Sequence, residues 1–361
     1  MKVMTILPRR EGYAPDRAGA IALLVSRLAE PEDIVLGTQI EGNPLPGGRF
    51  VAVSEPGGLH RWRREGTRYR IACQREIRRH RPDLIEVHNR PALAKALARC
   101  GVPVHLILHN DPQDMYGARR PRQRLALMQH LKVFTVSFWL RRRFLEDLDD
   151  GPVTVMPNCL DLSSLPPRPG EKAKLVLFAG RMVADKGADA FVRAWAAVSQ
   201  KAPGWHAAMI GADRFRFDSP RTTFLDRVET AANAAGITLC GYQMHEQVLE
   251  AMARASIVVV PSRWPEPFGL TALEAMASGA AVIASPRGGL PEVVGEAALL
   301  ALPDAPGALE KALLSLIEDA ALRAECVERG FRQARKFELG QAKAALRMAR
   351  EKSAKTGNIR R

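Results

Sequence analysis

Two glutamates, Glu266 and Glu274, stand eight positions apart in the stretch EPFGLTALEAMASG, among small and apolar residues. Earlier in the chain, Arg181 and Lys186 flank the turn RMVADKG, where Gly180 and Gly187 permit close backbone approach. A planar guanidinium fork and a compact ammonium in one loop suit a phosphate group. Each feature also has a plainer reading. A strand-to-helix loop exposes basic residues in any case, and Glu266 fits a solvated loop carboxylate. Thr271-x-x-Glu274 matches a capping box, in which the glutamate satisfies a backbone N–H.

The elements around these residues set where they sit. Pro265 and Pro267 exclude a helix through PEPFG, so Glu266 lies in a loop after the apolar run SIVVVPS. From Gly269 onward, Leu270, Leu273 and Ala277 form a helical stripe, so a helix starts there with Glu274 one turn inside. The amides and dipole of that N-terminus would attract a second anionic group.

Short β-branched runs recur along the whole chain: KVMTIL, DIVLG, DLIEVH, VHLILH and KVFTVS, then KLVLFAG, HAAMIGA, GITLCG, SIVVVPS and AAVIAS. Helix-length segments separate them, which predicts two doubly wound α/β domains with parallel sheets. The Pro- and Ser-rich stretch 161–172 reads as the linker, with domains over 1–160 and 173–340 and a C-terminal helix and basic tail over 341–361. Ligands of such sheets bind beyond the carboxyl ends of the strands, and two facing sheets would make a cleft.

Length and composition fit this picture. A chain of 361 residues is long for one core, and 47% hydrophobic with 25% charged residues is ordinary for a soluble globular protein. No apolar run approaches the roughly 18 residues that span a bilayer, and the N-terminal run breaks at Pro8, so a cytoplasmic protein is expected. The five cysteines lie at least 27 residues apart, which suggests neither a metal knuckle nor a dithiol motif. No G-x-G-x-x-G fingerprint occurs, which disfavours a nicotinamide dinucleotide. The net charge is +14. Residues 1–165 hold 26 Lys and Arg against 18 Asp and Glu, and the last fifteen residues hold six bases against one acid. Such a surface suits an anionic partner, or is simply solvated.

Taken in order, these motifs resemble the retaining glycosyltransferases of family 4, the group 1 glycosyltransferases, which have the two-domain GT-B fold. FAGRMVADKGADAFVRAW is similar to that family's G-R-(x)4-K-G element, and PSRWPEPFGLTALEAMASGAAVIASPRGGLPEVV to its E-x7-E segment followed by Gly-Gly-x-x-E. IEVHN, LILHND, FTVS and VMPNCLD fall where the family has strand-end motifs, and the resemblance covers nearly the whole chain.

The resemblance implies roles. Arg181 and Lys186 would hold the donor diphosphate, with the amides around Gly269, Leu270 and Thr271 completing its cradle and Phe268 in the same loop. Glu274 would accept hydrogen bonds from the ribose, and Glu266 from hydroxyls of the transferred sugar, since a carboxylate offers several acceptor sites to a polyol. The base would be read around Gly211 and CGYQMHE. His109, in LILHND, would lie near donor sugar and acceptor, with Asn110 beside it; as a lone residue it fits a hydrogen-bonded strand-end histidine equally well.

One departure stands out: the family's N-terminal Gly-Gly is here Gly19-Ala20. Gly19 keeps the close approach to diphosphate, and Asp16 or Arg17 become candidates for acceptor contact. Catalysis would rest on Arg181, Lys186, Glu266 and His109 with no metal and no cofactor, by preorganised electrostatics on the departing diphosphate. With no convincing nucleophile on the far face of the sugar, a same-face retaining route is expected.

The expected donor is a UDP- or GDP-sugar. The expected acceptor is a saccharide or lipid-linked saccharide of lipopolysaccharide or envelope polysaccharide synthesis, met at an anionic inner membrane face through the basic segments 61–81, 119–124 and 141–143. Rival readings are a nucleotide-sugar epimerase, a glycosyl phosphorylase, or a nucleic-acid-binding protein suggested by charge alone. The last lacks aromatic platforms, and no nucleic-acid partner is expected.

Overall fold

The fold was analysed in a computed structural model, which describes residues 1–15, 17–55, 65–214, 219 and 221–358, with side chains described as far as 354. The chain divides into two units, one of residues 1–159 with 339–361 and the other of residues 160–338.

The first unit is built on seven strands: β1 (Val3–Ile6), β2 (Ile34–Gly37), β3 (Arg49–Ala52), β4 (Leu84–His88), β5 (Val104–Leu108), β6 (Lys132–Thr135) and β7 (Val153–Val155). They pair in parallel in the order β3-β2-β1-β4-β5-β6-β7. The second unit has six: β8 (Ala173–Ala179), β9 (His206–Ile210), β10 (Thr238–Leu239), β11 (Ala255–Val260), β12 (Ala281–Ala284) and β13 (Ala298–Leu300), in the order β10-β9-β8-β11-β12-β13, also parallel. These are two doubly wound α/β domains, as the alternation of strand and helix patterns predicts.

Central strands β1, β4, β5 and β11 are buried along their whole length. A strand covered on both faces reads as a continuous apolar run, which is why these are visible in sequence. Three strands were not legible there: β3, β7 and β13, each at the edge of a sheet and only partly buried. The predicted GITLCG strand shrinks to the two-residue edge β10. The core of the second unit packs Phe191 and Trp195 of helix Ala188–Val198 and Leu313 of helix Ala308–Glu318 against the sheet.

The stretch 161–172 groups with the second unit, and its charged residues fasten it there. Lys172 donates to the carbonyls of Ala253 and Ser278, and the Arg168 guanidinium lies 4.0 Å over the Phe331 ring. The final helix, Leu339–Asn358, belongs to the first unit. Arg350 anchors it in the core, bonding Glu86 of β4 at 2.8 and 3.0 Å and Asp33 at 2.9 Å, while Ser353 pairs with His105 of β5 at 2.7 Å.

Candidate functional site

In a doubly wound sheet the strand order reverses where the chain begins its second half, and ligands gather there. In the second unit that point lies between β8 and β11. The loop after β8 carries Arg181 and Lys186, and the loop after β11 carries Glu266. Lys186 Nζ donates to Glu266 Oε1 at 2.5 Å, and Ser262 Oγ, itself buried, donates to the same oxygen at 2.7 Å. Residues 80 positions apart in sequence thus form one ion pair. Arg181 is half-buried at the start of the same loop.

Glycines let these loops touch. Gly187 takes φ +71°, and a Cβ there would lie 2.0 Å from the Pro261 carbonyl. Gly211 would meet the Gly180 carbonyl at 1.9 Å, and its N–H donates to Gly241 in CGYQMHE at 2.8 Å. The loop after β12 closes the other side: a Cβ on Gly288 would lie 2.2 Å from the Glu266 carbonyl, and Gly289 N–H donates to that carbonyl at 2.6 Å.

Arg263 was not singled out from sequence, yet it pins the arrangement. It forms a fork on Asp189 at 2.6 and 2.9 Å and bonds Asp304 at 2.7 Å and the Ala184 carbonyl at 2.8 Å. Burial opposes ionisation of Asp189, but hydrogen bonds from Arg263 and Arg193 outweigh it and bring its pKa to about 2. An arginine inside PSRWPEPFG carries no periodic signal; only the fold shows its partners.

The helix after this loop runs Leu270–Ala277 with Gly269 as its N-cap at φ +113°. The capping-box reading of Glu274 fails, because its carboxylate bonds His245 Nε2 at 2.8 Å instead. His245 belongs to CGYQMHE and opens helix His245–Arg254, so the glutamate and the segment singled out for base recognition meet. Leu270 and Thr271 are half-buried at the helix start. Phe268 is buried edge-on against Phe337, with ring centroids 5.4 Å apart, so its ring serves packing.

The residues singled out in the first unit have a different setting. Gly19 caps helix Ala20–Leu28, but the anion seat at that N-terminus is filled by the chain itself. Glu11 Oε1 accepts from the Ala22 N–H at 3.0 Å and would lie 2.6 Å from a Cβ on Gly19. Burial raises the pKa of Glu11, and the amides of Ala22, Gly19 and Ile21 hold it back. Arg17 pairs with Glu41 at 2.9 Å on the surface, Asp16 lies outside the described residues, and Asn110 is exposed.

His109 is buried, and its Nε2 lies 2.8 Å from His88 Nδ1. Its backbone N–H donates to Asn89 Oδ1 at 2.7 Å. Burial brings the His88 pKa down to about 4, and burial together with His88 holds His109 well below the usual histidine range. Both rings are neutral at pH 7. Sequence could place His109 at a strand end but gave no sign of its partner, which arrives from the neighbouring strand β4.

The basic segments of this unit are partly consumed within it. Arg124 is buried, donating to the carbonyls of Ala118, Arg119, Phe144 and Glu146. Arg143 pairs with Asp111 and Glu146, and Arg141 with Asp150. Residues 61–64 of the Arg-dense segment lie outside the described residues. No described helix is long and apolar enough to cross a membrane.

Comparison with known proteins agrees with the fold. Residues 166–333 match the family described as Glycosyl transferases group 1, and residues 29–164 match Glycosyltransferase Family 4. The chain belongs to the group 1, family 4 glycosyltransferases.

Among curated proteins, it is 26% identical over 214 residues to lipopolysaccharide 1,2-N-acetylglucosaminetransferase of Salmonella typhimurium, covering 52% of this chain and 56% of that protein. Matches to this and three other curated relatives span 27% to 69% of those proteins' lengths. Among solved structures, sucrose-phosphate synthase from Thermosynechococcus elongatus superposes with a TM-score of 0.77 at 20% identity, covering 98% of this chain and 99% of that one. Anabaena Alr3699/HepE in complex with UDP-glucose gives 0.76 at 17% identity, covering 96% and 98%. At these identities the structural likeness speaks for the GT-B fold.

Proposed function

We propose that this glycosyltransferase moves a sugar from a UDP- or GDP-sugar to a saccharide or lipid-linked saccharide in lipopolysaccharide or envelope polysaccharide synthesis, with retention of configuration and without a metal. The observation that carries the reading is the Lys186–Glu266 pair, formed from the loop that also carries Arg181, at the switch point of the second sheet. A cation held by a carboxylate, with a second cation on the same loop, is a seat that a diphosphate can enter while the carboxylate turns to sugar hydroxyls. Two relatives support the substrates: one is named as a lipopolysaccharide transferase and one was solved with UDP-glucose.

In this mechanism Arg181 and Lys186 stabilise charge as it builds on the leaving diphosphate, aided by the amides at Gly269, Leu270 and Thr271. Glu274, kept in place by His245, takes the ribose hydroxyls, and Glu266 orients the transferred sugar. The departing diphosphate accepts the acceptor's proton on the same face. His109 and Asn110 of the first unit contact acceptor or sugar. The exposed arginines Arg119, Arg120, Arg122 and Arg142 favour work at an anionic membrane surface on the cytoplasmic side.

A thermal-shift panel of UDP, GDP and ADP with their sugar conjugates tests the donor site. One nucleotide family should stabilise the wild type and fail to stabilise Lys186→Ala or Glu274→Ala. A panel in which no nucleotide shifts the wild type would sink the reading. An inverted anomer in the product, seen by NMR, would overturn the same-face route, and failure to pellet with anionic liposomes at low salt would remove the membrane.

A further inference from the structure

His88 and His109 are both buried, with Nδ1 of the first 2.8 Å from Nε2 of the second and ring planes 11° apart. Two neutral imidazoles joined by one hydrogen bond leave two arrangements, since one ring must donate and the other accept. If His88 donates, His109 carries its own proton on Nδ1. If His109 donates, its Nδ1 is a bare acceptor.

Asn158 separates the two. It is 8% exposed, follows β7, and its Oδ1 is a buried acceptor without a partner in hydrogen-bond geometry. It lines the same cavity of about 30 Å³ as His88 and His109. Its interaction with the His109 ring favours a proton there. An orphaned buried acceptor is costly, and a proton on His109 Nδ1 relieves it. The charged groups on the cavity wall, Glu86 and Arg350, are bonded to each other, and Thr5 approaches Glu86 at 3.4 Å.

We propose that His88 and Asn158 are positioning residues that hold His109 as one neutral tautomer, His88 Nδ1–H donating to His109 Nε2 and His109 Nδ1–H donating to Asn158 Oδ1. His109 is then a fixed, uncharged ring and not a proton carrier. Its consequence for sugar transfer rests on the proposed function; the tautomer itself does not.

The test is two-bond ¹H–¹⁵N correlation on full-length protein labelled at histidine, from pH 8 to pH 5, with His109→Gln to assign the signals. We expect a protonated Nδ1 and bare Nε2 at His109 with no change over that range. His88→Asn, which keeps an N–H donor, should preserve the pattern, and His88→Leu should give mixed tautomers and lower kcat about tenfold with little change in the donor KM. A proton on Nε2 of wild-type His109, titration near the ordinary histidine value, or an unchanged pattern in a folded His88→Leu overturns the proposal. These spectra decide the tautomer whether or not any nucleotide binds, and the thermal-shift panel decides the donor reading by itself.

Discussion

In the second unit, the loops after β8 and β11 bring Lys186 against Glu266 with both side chains partly open to solvent, at 24% and 13% exposure. In the first unit, the loop after β1 and the end of β4 do the reverse: Glu11 sits on the amides of the helix that follows, and His88 closes on His109 in the interior. Both sheets place their first strand between their second and fourth strands in the same doubly wound way. The shared topology therefore delivers loops to a switch point without dictating their chemistry. One unit leaves a charged pair partly open to solvent at that point; the other turns its paired groups inward.

The largest test of this contrast is Arg350→Ala. It strands Glu86 and Asp33, both nearly inaccessible, without their counter-charge. Breaking such a buried pair costs about 3–5 kcal/mol. Hydrogen exchange in urea should show the loss on first-unit peptides and leave the second unit unchanged. Equal loss in both units would mean that they unfold as one.

Acid should separate the units next. His88 has a folded pKa of about 4 against an unfolded value near 6.5, so the unfolded chain binds the extra proton first. Its neutral burial thus stabilises fully above pH 6.5, and that contribution is lost as pH falls toward 4, by about 3 kcal/mol in all. Asp189 in the second unit, at about 2, has the opposite chemistry: its contribution is present above the unfolded carboxylate value near 3.9 and goes only as pH drops toward 2. Exchange followed from pH 7 to pH 3 should find the first unit loosening earlier. His88→Gln should remove its early phase.

Gly187→Ala sharpens the loop side of the comparison. Its φ of +71° and the Pro261 carbonyl 2.0 Å from a new Cβ predict a cost of about 1–3 kcal/mol, with loss of nucleotide stabilisation as Lys186 moves. Gly204→Ala, at φ +76° in open space, is the control and should cost only about 1 kcal/mol by chemical denaturation. If both cost the same, the contact with Pro261 is not what shapes the site.

The smallest effect belongs to Glu274→Gln. Glutamine retains an oxygen for His245, so stability should change by about 1 kcal/mol or less, while nucleotide affinity falls about fivefold. A double-mutant cycle with His245→Ala on nucleotide Kd should give a coupling; strict additivity would separate the histidine from the glutamate's role.

The sequence alone determined the alternation of strands and helices and the helix start at Gly269, because burial imprints periodicity on neighbouring residues. Edge strands β3, β7 and β13 escaped because a half-solvated strand leaves no continuous apolar run. Partners were decided by tertiary structure. Glu274 finds His245 at a separation of 29 residues, Lys186 finds Glu266 at 80, and Arg350 finds Glu86 at 264. Such pairings depend on which strands become neighbours and where glycines let loops touch. The same dependence turned Arg124 from a surface base into a buried clasp and gave His109 a second histidine. A side chain's type says what it can bond, but strand order decides what comes within reach.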